Sequence, residues 1–140
     1  MGKVCPNCGT PGMVHETRVD VVEYVHDGET YRRSINQPAW WCDACGEGVM
    51  QGDELLIGEQ ALFELRAQAH GVLTPGEVKR IRKKLDLTQT EAGAILGGGV
   101  KAFYKYESGR ILPSVAISNL LRLLDHQPSL LDHLKSDEAA

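Results

Sequence analysis

The chain has 140 residues, of which 42% are hydrophobic, and its formal net charge at pH 7 is −4. This length accommodates one ordinary domain or two small ones, and no apolar run approaches the roughly 18 residues that a membrane-spanning helix needs. Because the first residues also lack the apolar core of a signal peptide, the sequence predicts a cytoplasmic protein without a membrane partner.

Charge is distributed unequally along the chain, which favours two domains over one. Residues 1–70 contain five Lys/Arg and eleven Asp/Glu, a balance of −6, whereas residues 75–124 contain nine and four, a balance of +5. A basic segment is typical of a nucleic-acid-binding surface, and the acidic segment suggests a different partner. We expect a first domain at 1–70, a linker at 71–75 and a second domain at 76–140.

All four cysteines of the chain lie in two Cys-x-x-Cys pairs, Cys5 with Cys8 and Cys42 with Cys45. Each pair can place two sulfurs on one tight turn, and four thiolates complete the closed tetrahedral shell of a structural Zn²⁺ site. Two disulfides are the alternative, which a reducing cytosol disfavours, and iron can also occupy such a site. The spacing therefore predicts one structural zinc ion per chain.

The segment between the two cysteine pairs has the pattern of an antiparallel β-hairpin. Residues 17–25 and 29–35 are β-branched and roughly alternating, and they flank the strong turn signal Asp27-Gly28. Residues 39–42 are expected to add a further strand. A module of this size has a small core, so we expect the metal to supply part of its folding free energy.

Helix signals begin after the second cysteine pair and continue to the end of the chain. A first helix is expected from about Asp53, as its N-cap, to His70, with Gly71 as its stop. The next helix begins at Thr74-Pro75, a cap residue followed by a proline at the first helical position. The sequence thus predicts the α+β class, with a zinc-stapled hairpin and helix module followed by an all-α domain.

Residues 87–109 have the pattern of a helix-turn-helix. A capping box at 88–91 begins a short helix, three consecutive glycines at 97–99 supply the turn, and a third helix is expected from Val100 to about Ser108. We expect this third helix to direct Val100, Phe103 and Tyr106 inward. Its outward face then carries Lys101, Tyr104, Lys105 and Ser108.

This outward face is the candidate recognition surface for DNA. Lys101 and Lys105 are long donors near the start of the helix, where they can reach base edges or phosphates in the major groove. The alternative is that they form the solvated face of a helical bundle. Arg82 and Glu107 are expected to pair with each other and not to contact DNA. The other candidate DNA-binding residues are Thr88, Gln89, Gly99, Tyr104, Ser108 and Arg110.

The C-terminal segment contains more leucine than one small bundle must bury. A two-fold dimer through these helices would place two recognition helices about 34 Å apart, which suits the half-sites of a palindromic operator. A monomer with a self-contained fourth and fifth helix is the alternative. The candidate dimer residues are Leu120, Leu121, Leu124 and Leu131.

Taken together, these motifs resemble the MqsA (YgiT-type) antitoxin family, over nearly the whole chain. The resemblance rests on the two cysteine pairs, on Leu-x-Leu-Thr-Gln-x-Glu-Ala at 85–92, on Gly-Gly-Gly-Val-x-Ala-Phe at 97–103 and on Tyr-Glu-x-Gly at 106–109. The second half also resembles the Xre/Cro repressors. In the family an Asn and an Arg of the recognition helix read bases, whereas Lys101 and Lys105 occupy the matching positions here. A different operator sequence is therefore expected.

The resemblance implies a dimeric antitoxin of a type II toxin-antitoxin system. Its zinc-binding first domain would sequester an MqsR-like ribonuclease toxin, and its second domain would repress its own operon. An acidic module suits a basic toxin, and Trp40, Trp41 and the helix at 53–70 offer docking surfaces. The alternative role of the tryptophans is to cover the metal site, which we favour for at least one of them.

Other functions are weighed against the same residues. An enzyme is disfavoured because four cysteines close the metal shell and leave no position for water, and the histidines are scattered. Nucleic-acid binding by the first domain is disfavoured by its negative charge. A stand-alone zinc-containing Xre-type transcription regulator without a toxin partner remains the main alternative.

Overall fold

The computed structural model describes residues 2–136 and divides the chain into two units, Met1–Leu65 and Arg66–Ala140. The first unit contains the cysteine pairs, a three-stranded antiparallel sheet and most of a long helix, and the described part of the second is helical. This combination confirms the predicted α+β class. The division falls inside a helix that continues to His70, so the expected boundaries at 70 and 75 stay a prediction.

A long hairpin forms most of the first unit. Strand β1 (Val14–His26) pairs antiparallel with β2 (Glu29–Trp41), and the short strand β3 (Gly48–Val49) pairs with the end of β2. The connecting residues Asp27 and Gly28 have φ values of 50° and 79°. Positive φ at both positions is what a type I′ turn requires, and this turn matches the twist of the two strands. The predicted hairpin is confirmed.

The further strand expected at 39–42 was wrong, because residues 39–41 continue β2 and Cys42 lies just beyond its end. The hairpin ladder runs without a break to the pairs His15–Trp40 and Val14–Trp41. The segment at 39–41 therefore belongs to β2, because β1 is long enough to pair with it. The sequence pattern had separated this segment from the hairpin.

Helix α1 (Glu54–His70) lies against the hairpin and anchors to it through polar contacts. Gln37 on β2 is only 2% exposed, and its Nε2 donates to the backbone carbonyl of Glu54 over 2.9 Å. Arg33 on the same strand forms an ion pair with Glu64 of the helix. A buried amide needs such partners to offset the loss of water, so these contacts fix the helix on one face of the sheet.

The second unit packs its helices around one apolar core. Phe103, Ile81, Val78 and Leu121 are at most 1% exposed within it. Its elements, after the end of α1, are α2 (Pro75–Lys84), α3 (Gln89–Leu96), α4 (Ala102–Glu107), α5 (Val115–His126), a 3₁₀ helix (Pro128–Leu130) and α6 (Leu131–Ser136). No helix in the described part of the chain combines the length and hydropathy that a bilayer span needs.

The predicted helix starts are confirmed by their hydrogen bonds. The backbone N–H of Glu77 donates to Thr74 Oγ1, and the carboxylate of Glu77 accepts from the N–H of Thr74. Thr88 and Glu91 form the same reciprocal pair at the start of α3. Each capping box satisfies two donors that the first turn of a helix leaves unpaired. The stop of α1 is also confirmed, since Gly71 adopts a φ of 70°.

The expected start of the third helix at Val100 was wrong. Helix α4 begins at Ala102, and Val100 is 55% exposed and does not face the core. The cause is a close approach of the glycine turn to α3, where a Cβ on Gly93 would lie only 1.9 Å from the carbonyl oxygen of Gly99. Because this contact holds the turn against α3, the chain reaches helical geometry only after Lys101.

Three of the four candidate dimer leucines are already covered within their own chain. Leu121, Leu124 and Leu131 are 0%, 1% and 5% exposed, and Leu120 is half-buried against the same core. The fold of the single chain accounts for the burial of these three residues, and their role in a dimer contact stays a prediction. Leu121 and Leu124 complete the helix-turn-helix core because α5 packs on α2, and Leu131 does so because α6 packs on α3. The apolar residue that α5 leaves most exposed is Leu123, at 60%.

Candidate metal centre and nucleic-acid interface

Two turns of the same geometry carry the cysteine pairs. The N–H of Gly9 donates to the carbonyl of Cys5 over 2.9 Å, and the N–H of Gly46 donates to that of Cys42 over 2.8 Å. The two glycines have φ values of 78° and 80°, a conformation that glycine adopts without strain. The repeated pattern Cys-x-x-Cys-Gly is therefore a sequence signal for this turn, and our prediction from cysteine spacing alone did not use it.

The turns bring all four sulfurs into one cluster. The Sγ atoms of Cys5, Cys8, Cys42 and Cys45 lie within 4.8 Å of one another. Across the turns, Cys5 Sγ is 3.7 Å from Cys45 Sγ, and Cys8 Sγ is 3.6 Å from Cys42 Sγ. A tetrahedron with metal–sulfur bonds of about 2.3 Å has edges of about 3.8 Å. The four cysteines, none of them in a disulfide, thus form a donor set that can hold a tetrahedral metal ion.

The four sulfurs differ in burial and in acidity. Cys5 and Cys42 are buried, whereas Cys8 and Cys45 are exposed. A hydrogen bond with Thr10 lowers the pKa of Cys8 to about 6. A backbone hydrogen bond from Cys45 acts to lower the pKa of Cys42, but burial and the thiols of Cys8 and Cys45 outweigh it and raise this pKa to about 11. Since only thiolates bind the metal, binding must displace protons.

The two tryptophans lie differently with respect to the cysteine cluster. Trp40 is half-buried and packs against the small core of Cys5, Met13 and Cys42. Trp41 is 7% exposed, and its Nε1 donates to the backbone carbonyl of Glu16 over 2.9 Å. The expectation that at least one tryptophan covers the metal site is therefore confirmed for Trp40.

Arg18 of β1 fastens the second cysteine turn to the hairpin. Its Nη2 donates to Asp43 over 2.7 Å and its Nε to Glu16 over 2.9 Å, while its guanidinium lies 5.5 Å from the ring centroid of Trp41. The hydrogen bond with Asp43, followed by that with Glu16, raises the pKa of Arg18 above its ordinary value. These contacts hold the turn in place beside the sheet.

The second unit has a surface cleft of about 550 Å³ beside α3 and α4. Its lining includes three cationic side chains and no carboxylate. Five of the residues that the sequence marks as candidate DNA contacts lie here, and Thr88, Gly99 and Ser108 are exposed outside the lining. Thr90 and Val100 also line the cleft and were not predicted. The full lining is Gln89, Thr90, Val100, Lys101, Tyr104, Lys105 and Arg110.

The exposed face of α4 presents cations in a fixed order. Lys101 precedes the helix as its N-cap residue, and Lys105 follows one turn later, with both side chains exposed. Tyr104 between them is 48% exposed, and the Arg110 guanidinium lies 5.2 Å from its ring centroid. A guanidinium over an aromatic face is held by cation–π attraction. The arrangement can contact phosphates and base edges along one groove.

A buried ion pair holds the helix-turn-helix together behind this face. Arg82 of α2 donates to both carboxylate oxygens of Glu107 over 2.7 and 2.9 Å, which raises the pKa of Arg82. The predicted pair is confirmed. Gln89 Nε2 donates to the same carboxylate over 3.2 Å. Sequence analysis did not foresee this third contact, which orients Gln89 at the start of α3.

Four clustered cysteines that can hold a metal ion in one unit and a helix-turn-helix with a cationic outer face in the other are the features of a metal-binding helix-turn-helix protein. The chain belongs to the MqsA family, the antitoxin component of a bacterial toxin-antitoxin system, whose family model matches residues 3–135. Antitoxin MqsA of Escherichia coli strain K12 is 34% identical over 134 residues, which cover 94% of this chain and 98% of that protein. The family resemblance found in the sequence is thereby confirmed.

Membership also bears on the choice between enzyme and regulator. An antitoxin is a binding protein, and four thiolates leave no open coordination position for a reacting water. Both observations favour a non-enzymatic role for the chain.

Proposed function

We propose that this protein is a zinc-containing antitoxin that represses its own operon and neutralises an MqsR-like ribonuclease toxin. The observation that carries the proposal is the cationic cleft on the helix-turn-helix of a chain that belongs to an antitoxin family. The protein would bind a palindromic operator as a dimer, with one α4 helix in each half-site and about 34 Å between them.

The DNA-binding role rests on three cations around one aromatic side chain. Lys101 and Lys105 extend from the exposed face of α4, and Arg110 is stacked on Tyr104 at the edge of the cleft. Lysine donates from a single ammonium and cannot make the two-point contact of an asparagine with adenine. The operator should therefore differ from that of relatives with asparagine at this place.

The toxin-binding role rests on charge and on the family. Residues 1–70 have a balance of −6, and a tetrathiolate zinc site adds a formal double negative charge. A ribonuclease that binds RNA needs a cationic surface, which an acidic module complements. Zn²⁺ is the ion we propose for the cluster because its closed, four-sulfur, tetrahedral geometry is that of structural zinc sites. The ion would stabilise the module and take no part in a reaction.

Operator binding is tested with the promoter DNA of the protein's own operon, titrated with salt. Lys101→Ala/Lys105→Ala should bind the operator hardly better than random DNA, and its plot of log affinity against log salt should be shallower by about 0.9 for each lost phosphate contact. Lys83→Ala is the matched control, because Lys83 is exposed on α2 and does not line the cleft. Operator affinity of the double variant equal to that of Lys83→Ala would contradict the DNA-binding role.

Neutralisation is tested with the protein encoded next to this gene, which the proposal expects to be a basic ribonuclease. The zinc-loaded antitoxin should form a complex with it and stop its cleavage of RNA. If the operator is bound with high affinity but no neighbouring protein is inhibited, the chain is instead a stand-alone Xre-type regulator. The two assays therefore separate the proposed function from its main alternative.

A further inference from the structure

The two cysteine turns share their backbone but differ in the side chains that can bond to the cysteine sulfurs. The first turn reads Cys-Pro-Asn-Cys-Gly-Thr and the second Cys-Asp-Ala-Cys-Gly-Glu, at residues 5–10 and 42–47. At the third and sixth positions the first turn has Asn7 and Thr10, which carry hydrogen-bond donors. The second turn has Ala44 and Glu47 at these positions, which carry none at neutral pH.

The donors of the first turn serve both exposed sulfurs. Thr10 Oγ1 lies 3.2 Å from Cys8 Sγ in the same turn, and Asn7 Nδ2 lies 3.6 Å from Cys45 Sγ in the other turn. The buried sulfur of Cys42 is instead approached by backbone N–H groups. Cys8 and Cys45 are the two exposed cysteines of the cluster. They are thus also the two whose sulfurs lie within hydrogen-bond distance of a side chain of the first turn.

Metal binding turns these contacts into charge-assisted hydrogen bonds. In the free thiol the S–H of Cys8 donates to Thr10, whereas a metal-bound thiolate can only accept, so the hydroxyl then donates to sulfur. Four thiolates around one divalent ion leave a formal double negative charge. Donors to such a charge bind more strongly than donors to a neutral acceptor, and groups that bond to metal ligands typically change metal affinity by 10–100-fold.

We propose that the side chains of Asn7 and Thr10 retain the metal ion by donating hydrogen bonds to the two solvent-exposed thiolates, Cys45 and Cys8. An exposed thiolate is where a proton or a competing chelator first attacks the site. A donor there lowers the basicity of the sulfur and fixes its direction toward the metal. This role is independent of DNA binding and of toxin neutralisation.

The test is the affinity of the full-length protein for Zn²⁺, measured by competition with a chromogenic chelator. Thr10→Val keeps the branched shape but removes the hydroxyl, and Asn7→Ala removes the amide; each should weaken zinc binding about tenfold or more. Thr10→Ser should bind zinc as the wild type does. Thr17→Val and Asn36→Ala, which make the same changes at exposed hairpin positions, are matched controls and should also be unchanged.

Cobalt(II) substitution separates the loss of a hydrogen bond from the loss of the site. The visible d–d bands of bound Co²⁺, which report a tetrahedral set of four thiolates, should be present in Thr10→Val and in Asn7→Ala as in the wild type. Zinc affinity at the wild-type value in Thr10→Val and Asn7→Ala would overturn the proposal, as would a Thr10→Ser variant as weak as Thr10→Val. Loss of the tetrahedral d–d bands in either variant would overturn it too, because the donors would then build the thiolate set and not act upon it.

Discussion

At the scale of single residues, Glu107 joins three helices through one carboxylate. It belongs to α4, accepts two hydrogen bonds from Arg82 of α2 and one from Gln89 of α3. Its side chain is only 5% exposed and that of Arg82 only 11%. The contact to Gln89 connects this structural pair to the proposed DNA-binding surface, because Gln89 lines the cleft.

Replacing Glu107 with alanine should lower the free energy of unfolding by about 3–5 kcal/mol, because it leaves the Arg82 guanidinium buried without a partner. Operator affinity should fall as well, since Gln89 loses its acceptor. Urea unfolding measures the first effect. Asp132→Ala, an exposed carboxylate on α6, is the control and should change stability by about 0.5 kcal/mol or less. An unfolding midpoint of Glu107→Ala equal to that of the control would refute the role of the pair.

The acidity of two cysteines predicts how metal binding depends on pH. Cys42, with a pKa of about 11, must lose a proton on binding throughout the neutral range, whereas Cys8, with a pKa of about 6, is already ionised above that pH. The logarithm of zinc affinity should thus rise by about 1 or more per pH unit, and more steeply below about pH 6. Chelator competition between about pH 5 and about pH 8 measures this slope. A zinc affinity that does not change with pH would contradict this prediction, because it would show that the cysteines are ionised before the metal binds.

At the scale of elements, local signals decide where most helices and strands begin. The turn Asp27-Gly28 and the capping boxes of Thr74 and Thr88 are short-range patterns, and each lies where the sequence predicts it. The start of α4 is different. It depends on the contact between Gly93 of α3 and Gly99 of the turn, and no local pattern in the sequence describes that contact.

This contact predicts opposite effects for two Gly→Ala substitutions. In Gly93→Ala the new Cβ would meet the carbonyl of Gly99 at 1.9 Å, so α3 and the turn must separate at a cost of about 1–3 kcal/mol or more. In Gly76→Ala, within the first turn of α2, a new Cβ meets nothing within 4 Å, and stability should rise by about 0.4–1 kcal/mol. Urea denaturation of both variants checks the signs. Equal effects would contradict the proposed close approach.

At the scale of the whole molecule, the two units are stabilised in different ways. The second has a continuous apolar core built around Phe103, Ile81 and Leu121. The buried cluster at the cysteines consists of Cys5, Met13 and Cys42, with Trp40 and Val49 packed against it. A cluster of this size cannot offset the conformational entropy of ordering the cysteine turns without further cross-links. We propose that the metal supplies them.

Removal of the metal should therefore unfold the first unit and spare the second. Both tryptophans of the chain, Trp40 and Trp41, lie in the first unit, so tryptophan fluorescence reports on it alone. A strong chelator should shift this emission toward that of the unfolded chain, while most of the helical circular dichroism and its thermal transition remain. Simultaneous loss of both signals would contradict independent folding of the two units.

The sequence by itself determined the metal donor set, the hairpin, the starts of α2 and α3, and the family. Each depends on residues close along the chain or on a fixed spacing, where backbone sterics and short hydrogen bonds dominate. Only the tertiary structure decided which side chains are covered. Leu121 and Leu124 are as apolar as an interface requires, yet α2 already covers them. Val100 is exposed because the contact of Gly93 with Gly99 fixes the turn before α4. Likewise, Asn7 meets Cys45 only after the fold joins the two cysteine turns. Whether a side chain is buried depends on the residues that the fold packs against it, and these residues are often far away along the chain. A local sequence pattern therefore does not reveal them.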